Sequence, residues 1–255
     1  MSVTLGYANQ IDLATLSGGN WNASYPLNNI KTRYLYQRAR TTNALVGSTA
    51  LNIDLGSTQD IGTVAVVKHN LTADVATVRV SAASDSGYTS LVYDSGYITA
   101  YDGSDYCVVF DDIGARYWRI QINDTTNTDG YIEIGRVFIG PTFSAEDNCS
   151  WGYSRSIESY SQMVAALGGA EYPEIRPNRR VYRMAWEYLS DAEAVKLIRI
   201  KRTQDITGEV YFIFDDADSS MADEDRFLGR LRELSAVEAP YVGIHKAPFE
   251  VAELL

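Results

Sequence analysis

The first 140 residues alternate short apolar runs with clusters of turn-forming residues. Ile61–Val67 is rich in β-branched residues and stops at Lys68-His69-Asn70, while apolar and polar side chains alternate along Ala76–Ala82. Runs of this kind, bounded by Gly, Asp, Ser and Asn, are typical of strands. A series of such short strands favours two packed antiparallel sheets. The pattern therefore predicts a β-sandwich or a jelly roll.

Other segments of this part have the same strand character. In the first of them Leu51, Ile53 and Leu55 share one face, and Gly56 and Ser57 are expected to end the strand. The segments are Ala50–Leu55, Leu91–Tyr93, Tyr106–Phe110, Tyr117–Ile122 and Tyr131–Ile139.

The pattern changes near Gly140-Pro141, so we expect two domains, 1–140 and 141–255. Ser190 and Glu193 have the spacing of a capping box in front of an apolar-periodic segment, which predicts a helix over residues 191–204. The second domain is therefore expected to be β-sandwich-like (α+β) with one helix, and the whole chain mainly β. Its predicted strands are Ser156–Leu167, Arg180–Tyr188, Glu209–Phe214, Phe227–Val237 and Phe249–Leu254, with an acidic loop at Asp215–Asp225.

The chain is acidic, with a formal net charge of -11. Such a surface repels a phosphate backbone, so we expect no sequence-independent binding of nucleic acid. Tyrosine is abundant, at 18 residues against 7 Phe and 4 Trp. Since tyrosine suits strands and half-wet contact surfaces, the composition favours a β protein with large contact surfaces.

Cys107 and Cys149 belong to no CxxC pair and have no neighbouring His, so we expect no zinc site. A disulfide between them and two buried thiols are the alternatives. The first residues lack the basic and apolar regions of a signal peptide, and no apolar run is long enough to span a bilayer. We expect synthesis in a cytoplasm and no membrane insertion.

Several segments of the first half occur in an order that resembles a known family. They are Leu51-Asn52-Ile53-Asp54-Leu55-Gly56 with Ile61–Val66, Val78–Ser81 with Ser84-Asp85, Ala115-Arg116-Tyr117-Trp118-Arg119-Ile120, and Gly130–Val137. Together they are similar to the signature of the discoidin (coagulation-factor type C, galactose-binding-like) family. The resemblance covers roughly residues 20–140 and implies an eight-stranded jelly roll with a ligand site in loops at one end.

The charged residues of these segments also have a physical interpretation. Asp54 follows a buried Ile at a strand end, where a carboxylate accepts N–H groups of a turn. Arg116 and Arg119 flank aromatic residues and are expected to pair with Glu133 or with an acidic loop.

A second resemblance is to the discoidin-like modules in minor tail proteins of long-tailed bacteriophages. It rests on Tyr25–Ile30, Arg38–Arg40, Val67–Thr72 and Val92–Tyr97. The segment from Arg179 through the helix to Asp215 is similar to the β-sandwich-with-helix cores of distal tail or tail-hub proteins. This resemblance implies a virion protein of the tail tip or baseplate that binds other tail proteins and forms a homo-oligomeric ring.

Sugar recognition uses aromatic platforms and polar forks in loops. For the residues with this chemistry, assembly contacts or local packing is the alternative interpretation. The candidate glycan-binding residues are Trp21, Tyr25, Tyr36, Arg38, Arg40, Tyr97 and Tyr101.

Acidic clusters suggest calcium, because this cation prefers oxygen ligands. The candidate ligands are Asp102, Asp105, Asp215 and Asp218, and a solvated loop is the alternative, since Asp215–Asp225 lacks the spacing of an EF-hand. No other cofactor is expected.

Catalysis is not expected. His69 and His245 are the two histidines, and the chain has no nucleophile elbow, Walker loop or dinucleotide-binding glycine motif. The leading hypothesis is a structural component of a phage tail tip that mediates assembly and contacts host-surface glycan. The alternative is a free carbohydrate-binding, lectin-like protein or an enzyme accessory.

Overall fold

The computed structural model describes residues 3–99, 105–215 and 222–255, without the side chains of 222 and 223. Strands dominate these residues and pair antiparallel, which confirms the mainly β fold class. The earlier strands are β1 (Thr4–Gly6), β2 (Thr15–Ser17), β3 (Ala39–Arg40), β4 (Leu51–His69), β5 (Thr77–Ala83), β6 (Leu91–Thr99), β7 (Tyr106–Asn123), β8 (Glu133–Gly140) and β9 (Thr142–Ser144), with 3₁₀ helices at Gln10–Asp12 and Leu27–Lys31. The later elements are β10 (Ser154–Glu158), β11 (Gln162–Ala165), β12 (Glu171–Glu174), β13 (Arg179–Leu189), α1 (Asp191–Gln204), β14 (Val210–Ile213), α2 (Ala222–Asp225), β15 (Arg226–Leu231), β16 (Glu238–Tyr241) and β17 (Ile244–Glu253).

Two compact units divide the chain. The first runs to Ser144 and also includes Val210–Leu228; the second consists of Ala145–Glu209 and Gly229–Leu255. Residues 210–228, which the sequence analysis assigned to the second domain, group with the first unit because β14 pairs with β1.

The first unit contains a sandwich built on two long strands, β4 and β7. The strand order is β3-β8-β4-β7-β5-β6, with β2 also paired to β4. The amino-terminal end of β4 pairs with β2, whereas Thr63–His69 pairs with β8, so β4 changes partner along its length. The sheet therefore encloses one core, to which Ile53, Val64 and Trp118 all belong.

The two strands predicted at 50–55 and 61–67 are one strand with a break in pairing. The register of β4 against β7 shifts between Asp54 and Gln59, and Gly56 has a φ of 79°. The chain bends at Gly56 and continues, because glycine adopts this conformation without strain. Asp54 accepts a hydrogen bond from the Gly56 N–H at 2.8 Å, as expected for a turn carboxylate.

The predicted partner of Arg116 and Arg119 was wrong. Arg116 Nε donates to Asp54 Oδ1 at 2.6 Å, and Arg119 Nε donates to Asn52 Oδ1 at 2.8 Å. The β4–β7 register places Asn52 directly opposite Arg119 and Asp54 opposite Tyr117, the neighbour of Arg116, whereas Glu133 begins β8.

Three strands of the first unit that belong to another sheet, in the order β9-β1-β14, cover the outer face of β4 and β8. There the Phe138 and Tyr211 rings lie 5.9 Å apart, and Thr63 and Thr142 share a hydrogen bond of 2.8 Å. A Cβ on Gly6 would approach the Phe138 ring to 2.7 Å, so glycine permits this close packing. Covering both faces explains why Ile61–Val67 is buried throughout.

In the second unit β13 pairs with both β10 and β17, and β17 also pairs with β15 and β16. The helix α1 spans the predicted residues, and Ser190 and Glu193 form the predicted capping box. Inside this unit Lys201 Nζ donates to the Pro248 and Ser235 carbonyls, which fixes the last turns of α1.

Two strand predictions for this unit were wrong. Ser156–Leu167 is divided between β10 and β11, because Ser161 exchanges hydrogen bonds with the Arg176 main chain instead of continuing the ladder. The strand predicted at Phe227–Val237 ends at Leu231, after which the chain is mostly exposed.

Cys107 and Cys149 are both buried and are not joined in a disulfide. Burial raises the pKa of the Cys149 thiol. Within the described residues, no helix has the length and apolar character needed to cross a membrane.

Candidate functional site

The candidate site begins with the pairing of two short segments at one edge of the sandwich. Ala39 on β3 pairs with Ile134 on β8, and both belong to the core. Because side chains alternate along a strand, the next pair, Arg40 and Glu133, lies on the outer face. The sequence Tyr131-Ile132-Glu133-Ile134 follows the same alternation, since both isoleucines are buried in the core.

Arg40 lies between two tyrosine rings. Its guanidinium carbon is 4.4 Å from the Tyr25 ring centroid and 4.1 Å from the Tyr131 ring centroid. The Arg40 N–H also donates to the Tyr25 carbonyl at 3.0 Å, so the main chain holds the first ring in register with β3. We call Tyr25, Arg40 and Tyr131 the tyrosine–arginine stack.

Glu133 is shared by two arginines. Arg40 Nε donates to Oε1 at 2.8 Å and its Nη2 donates to the same oxygen, while Arg38 Nη1 lies 3.4 Å from Oε2. The hydrogen bond that Arg40 donates to Glu133 raises the pKa of Arg40, so this guanidinium stays charged. Two guanidiniums therefore converge on one carboxylate.

Arg38 has donors to spare. Its side chain is 38% exposed, and the contact with Glu133 is its one side-chain hydrogen bond within the described residues. The Asn29 side chain donates to the Arg38 carbonyl at 2.9 Å and so fixes the main chain beneath it. The remaining N–H groups of Arg38 are available to vicinal hydroxyls or to a carboxylate.

Exposed tyrosines lie beside this group, on the turn that precedes β3. The Tyr34 and Tyr36 rings are 5.8 Å apart, and Tyr36 is 76% exposed. The turn rests on β8 at Gly135, where an added Cβ would lie 3.1 Å from the Leu35 carbonyl oxygen. Gly135 follows Glu133 by two residues, so this contact holds the tyrosine turn next to the carboxylate.

An asparagine clamp fixes the segment that carries Tyr131 and Glu133. Asn70 Oδ1 accepts the Glu133 N–H at 2.7 Å, and Asn70 Nδ2 donates to the Tyr131 carbonyl at 3.1 Å and to Asp129 at 2.8 Å. Asn127 in turn donates to the Asn70 carbonyl at 2.8 Å. The second ring of the stack is therefore held by hydrogen bonds to its main chain.

The structure groups only part of the predicted set. Tyr25, Arg38 and Arg40 lie together around Glu133, and Tyr36 is on the turn before β3, where its ring contacts Tyr34. Tyr97 is on β6, at the other end of the strand order, near Arg79. Trp21 packs partly against the core and donates its indole N–H to the Gly18 carbonyl at 2.9 Å, so it is not part of the stack. Tyr101 lies outside the described residues. Whether these side chains bind a ligand stays a prediction.

Sequence reasoning missed Tyr131, Asn70 and the role of Glu133. Alternation within Gly130-Tyr131-Ile132-Glu133-Ile134 indicates that Tyr131 and Glu133 face outward. Arg40, the cross-strand neighbour that contacts both side chains, is more than ninety residues away in sequence. No local pattern could have paired them.

The calcium hypothesis stays a prediction. Asp102 and Asp218 lie outside the described residues, and the Asp105 carboxylate accepts the Lys68 N–H at 3.1 Å. Among the residues the structure describes, no three His, Cys, Asp or Glu side chains, Asp215 included, are grouped so as to hold a metal ion.

The histidines have local structural partners. His69 Nδ1 accepts the Leu71 N–H at 3.2 Å. His245 Nε2 lies 2.7 Å from the Asp191 carboxylate, in the first turn of α1. These contacts tie down a loop and a helix end.

Each of the similar solved structures covers about half of the chain. No protein-family model and no curated protein matches the sequence. Similar solved structures include the lectin domain of lectinolysin complexed with Lewis B antigen (15% identity, TM-score 0.43, 52% of this chain and 96% of that chain). Another is a Streptococcus pneumoniae fucose binding module (16% identity, TM-score 0.42, 52% and 95%). A third is CBM32-1 from a family 31 glycoside hydrolase from Clostridium perfringens (15% identity, TM-score 0.41, 52% and 98%).

Proposed function

We propose that the first unit is a discoidin-like module that binds a carbohydrate, without catalysis, at the tyrosine–arginine stack. The proposal is supported above all by the way Arg40 is held between Tyr25 and Tyr131 while Arg38 keeps unused donors beside them. The order of the sequence segments and the bent strands of the sandwich agree with such a module.

The chemistry of the stack suits a sugar. A pyranose has an apolar face of C–H groups, which packs on an aromatic ring, and a rim of hydroxyls, which needs fixed donors and acceptors. The half-exposed Tyr25 and the exposed Tyr36 provide rings, and Arg38 provides donors. Because Glu133 holds Arg38 and Arg40 beforehand and Asn70 fixes the segment of Glu133, these arginines lose little freedom on binding.

The test is binding of the full chain to an array of galactose, N-acetylglucosamine and bacterial surface polysaccharides. We expect saturable binding to at least one saccharide, weakened at least tenfold by Arg38→Ala. Arg33→Ala is the matched control, since Arg33 is an exposed arginine of the same loop that pairs with Asp12 at 3.6 Å instead. Equal binding by all three chains, or binding to no saccharide, would contradict the proposal.

We further propose that the chain works as a component of a bacteriophage tail tip, where the module contacts glycan on the host surface. The resemblance of Tyr25–Ile30, Val67–Thr72 and Val92–Tyr97 to minor tail modules supports this setting. So do the exposed apolar side chains of the second unit, among them Trp151 at 89% and Ile175 at 85%, because large exposed hydrophobics favour assembly contacts.

Gold-antibody labelling of purified particles tests the setting. Label confined to the distal end of phage tails is the expected result. Protein that is recovered free, with no labelled particle, would favour a separate lectin-like or enzyme-accessory protein and would leave the sugar site untouched.

A further inference from the structure

The second unit carries a hairpin whose two strands pair only with each other. Its strands β11 and β12 form a two-stranded sheet, with Ala165 opposite Glu171, and all their residues are exposed. Leu167, at the turn, is fully exposed, and Met163 is 63% exposed. An isolated two-stranded hairpin is marginally stable in water, so a contact at its tip would stabilise it.

The tip of this hairpin is apolar and narrow. No charged residue occurs from Ser159 to Ala170, and Gly168-Gly169 forms the turn with φ of 82° at Gly169. Added Cβ atoms on these glycines would meet nothing within 4 Å. The tip is thus a single large apolar side chain, Leu167, on a backbone turn without side chains.

A cavity lies at the base of the same hairpin. It has a volume of about 500 Å³ and is lined by Tyr160, Arg176, Pro177, Arg179 and Leu255. Its wall is mostly apolar, and Arg179 stacks on Tyr160 at 5.2 Å. The cavity is wide open to solvent, and its volume exceeds that of a leucine side chain together with a glycine turn.

The charges next to the tip and the cavity are complementary. In the described part of the chain neither Glu171, beside the tip, nor Arg179, at the cavity, has an ion-pair partner within 4 Å, whereas Arg176 is paired with Glu174 at 2.7 Å. Arg179 lies opposite Glu158 in the β10–β13 ladder and helps to lower the pKa of that carboxylate, which is itself paired with Arg232. The tip cannot reach the cavity of its own chain, because β12 leads away from the tip at about 3.3 Å per residue, which separates them by roughly 20 Å.

We propose that the hairpin tip of one chain inserts Leu167 into the cavity of a second copy, with Glu171 pairing with Arg179 of that copy. The two surfaces are different, so the contact is head-to-tail. Such contacts build a closed ring when the rotation between copies closes, and a filament when it does not.

Sedimentation velocity of the full chain over a range of concentrations tests the contact. We expect the wild type to associate and the dissociation constant of Leu167→Asp to be at least tenfold higher. Val242→Asp is the matched control, because Val242 is equally exposed in another turn of the second unit. A wild type that stays monomeric up to its solubility limit, or equal loss in both variants, would overturn the proposal.

A charge exchange distinguishes the pairing of Glu171 with Arg179 from non-specific association. Glu171→Arg and Arg179→Glu should each weaken association, and the double variant should recover it, with circular dichroism confirming that all three fold. No recovery in a folded double variant would refute the pairing.

Cysteine cross-linking gives the geometry directly. A mixture of Leu167→Cys and Leu255→Cys chains should form a disulfide-linked heterodimer in preference to either homodimer. A preference for the Leu167→Cys homodimer would instead indicate a tip-to-tip contact and contradict the head-to-tail arrangement.

Discussion

Replacing Asn70 by Ala removes the clamp beneath the stack without touching any ring or guanidinium. The side chain of Asn70 joins the Glu133 N–H, the Tyr131 carbonyl and Asp129 at distances of 2.7 to 3.1 Å. Without it the segment carrying Tyr131 loses its tie to the loop after β4. We therefore expect Asn70→Ala to lower both the stability of the first unit and its affinity for sugar.

The magnitude follows from the hydrogen bonds that are lost. A partly buried hydrogen bond contributes about 1 kcal/mol net, and a buried N–H left without a partner costs about 1–3 kcal/mol. The bond to Asp129 is exposed and adds little. The free energy of unfolding should fall by about 2–3 kcal/mol, which shifts Tm by roughly 5–10 °C in a chain of this size.

Asn9→Ala is the matched control. The Asn9 side chain donates to the Val137 carbonyl at 3.1 Å and accepts the N–H groups of Ile139 and Ile11 at 3.1 and 3.2 Å. Asn9→Ala therefore loses as many of these hydrogen bonds as Asn70→Ala does, at the opposite end of β8. Urea unfolding followed by circular dichroism should show a similar loss in both variants, and titration with the saccharide should show weaker binding for Asn70→Ala alone. Equal affinities in the two variants would refute the link between clamp and site.

Three further changes test single features of the first unit. Arg40→Lys keeps the charge but loses the planar group between Tyr25 and Tyr131, so sugar affinity measured by titration calorimetry should fall at least tenfold. Arg79→Lys is the control, because Arg79 pairs with Asp94 on β6, and this variant should keep the sugar affinity of the wild type. Equal sugar affinities in the two variants would count against the stack as the binding site. Gly135→Ala places a Cβ 3.1–3.2 Å from the main-chain oxygens of Leu35 and Val67, so thermal unfolding should occur at lower temperature and Tyr36 should move, whereas an unchanged Tm would contradict the close approach. Arg116 lowers the pKa of Asp54, so this pair stabilises the fold above the ordinary Asp pKa, and the stabilisation is lost as pH falls through the lowered value. Arg116→Gln should therefore unfold at a higher pH than the wild type in an acid titration. An unchanged midpoint would show that the pair does not stabilise the fold.

Local patterns predicted the elements whose cause is local. The capping box of Ser190 and Glu193 needs only residues of its own turn, and α1 begins where the sequence predicts. The alternation in Ala76–Ala82 likewise gave β5 to within a residue. Bends and breaks in strands were harder to predict. Gly56 permits both the end of a strand and a bulge, and only the pairing with β7 decides between them.

The candidate site could be predicted only in part for the same reason. Tyr25, Arg38 and Arg40 stand out by residue type, but their neighbours Tyr131, Glu133 and Asn70 come from segments that the strand order brings together. The grouping of Val210–Leu228 with the first unit also depends on long-range pairing, that of β14 with β1. Residue type thus indicated the chemistry, while strand topology selected which of the tyrosines surround Arg40.

The most direct test of the account is a crystal structure of the full chain with the saccharide that it binds best. We expect a sugar ring packed on Tyr25 or Tyr36, with its hydroxyls within hydrogen-bond distance of the Arg38 guanidinium. A sugar bound on the β5–β6 edge beside Tyr97, with the stack empty, would contradict it.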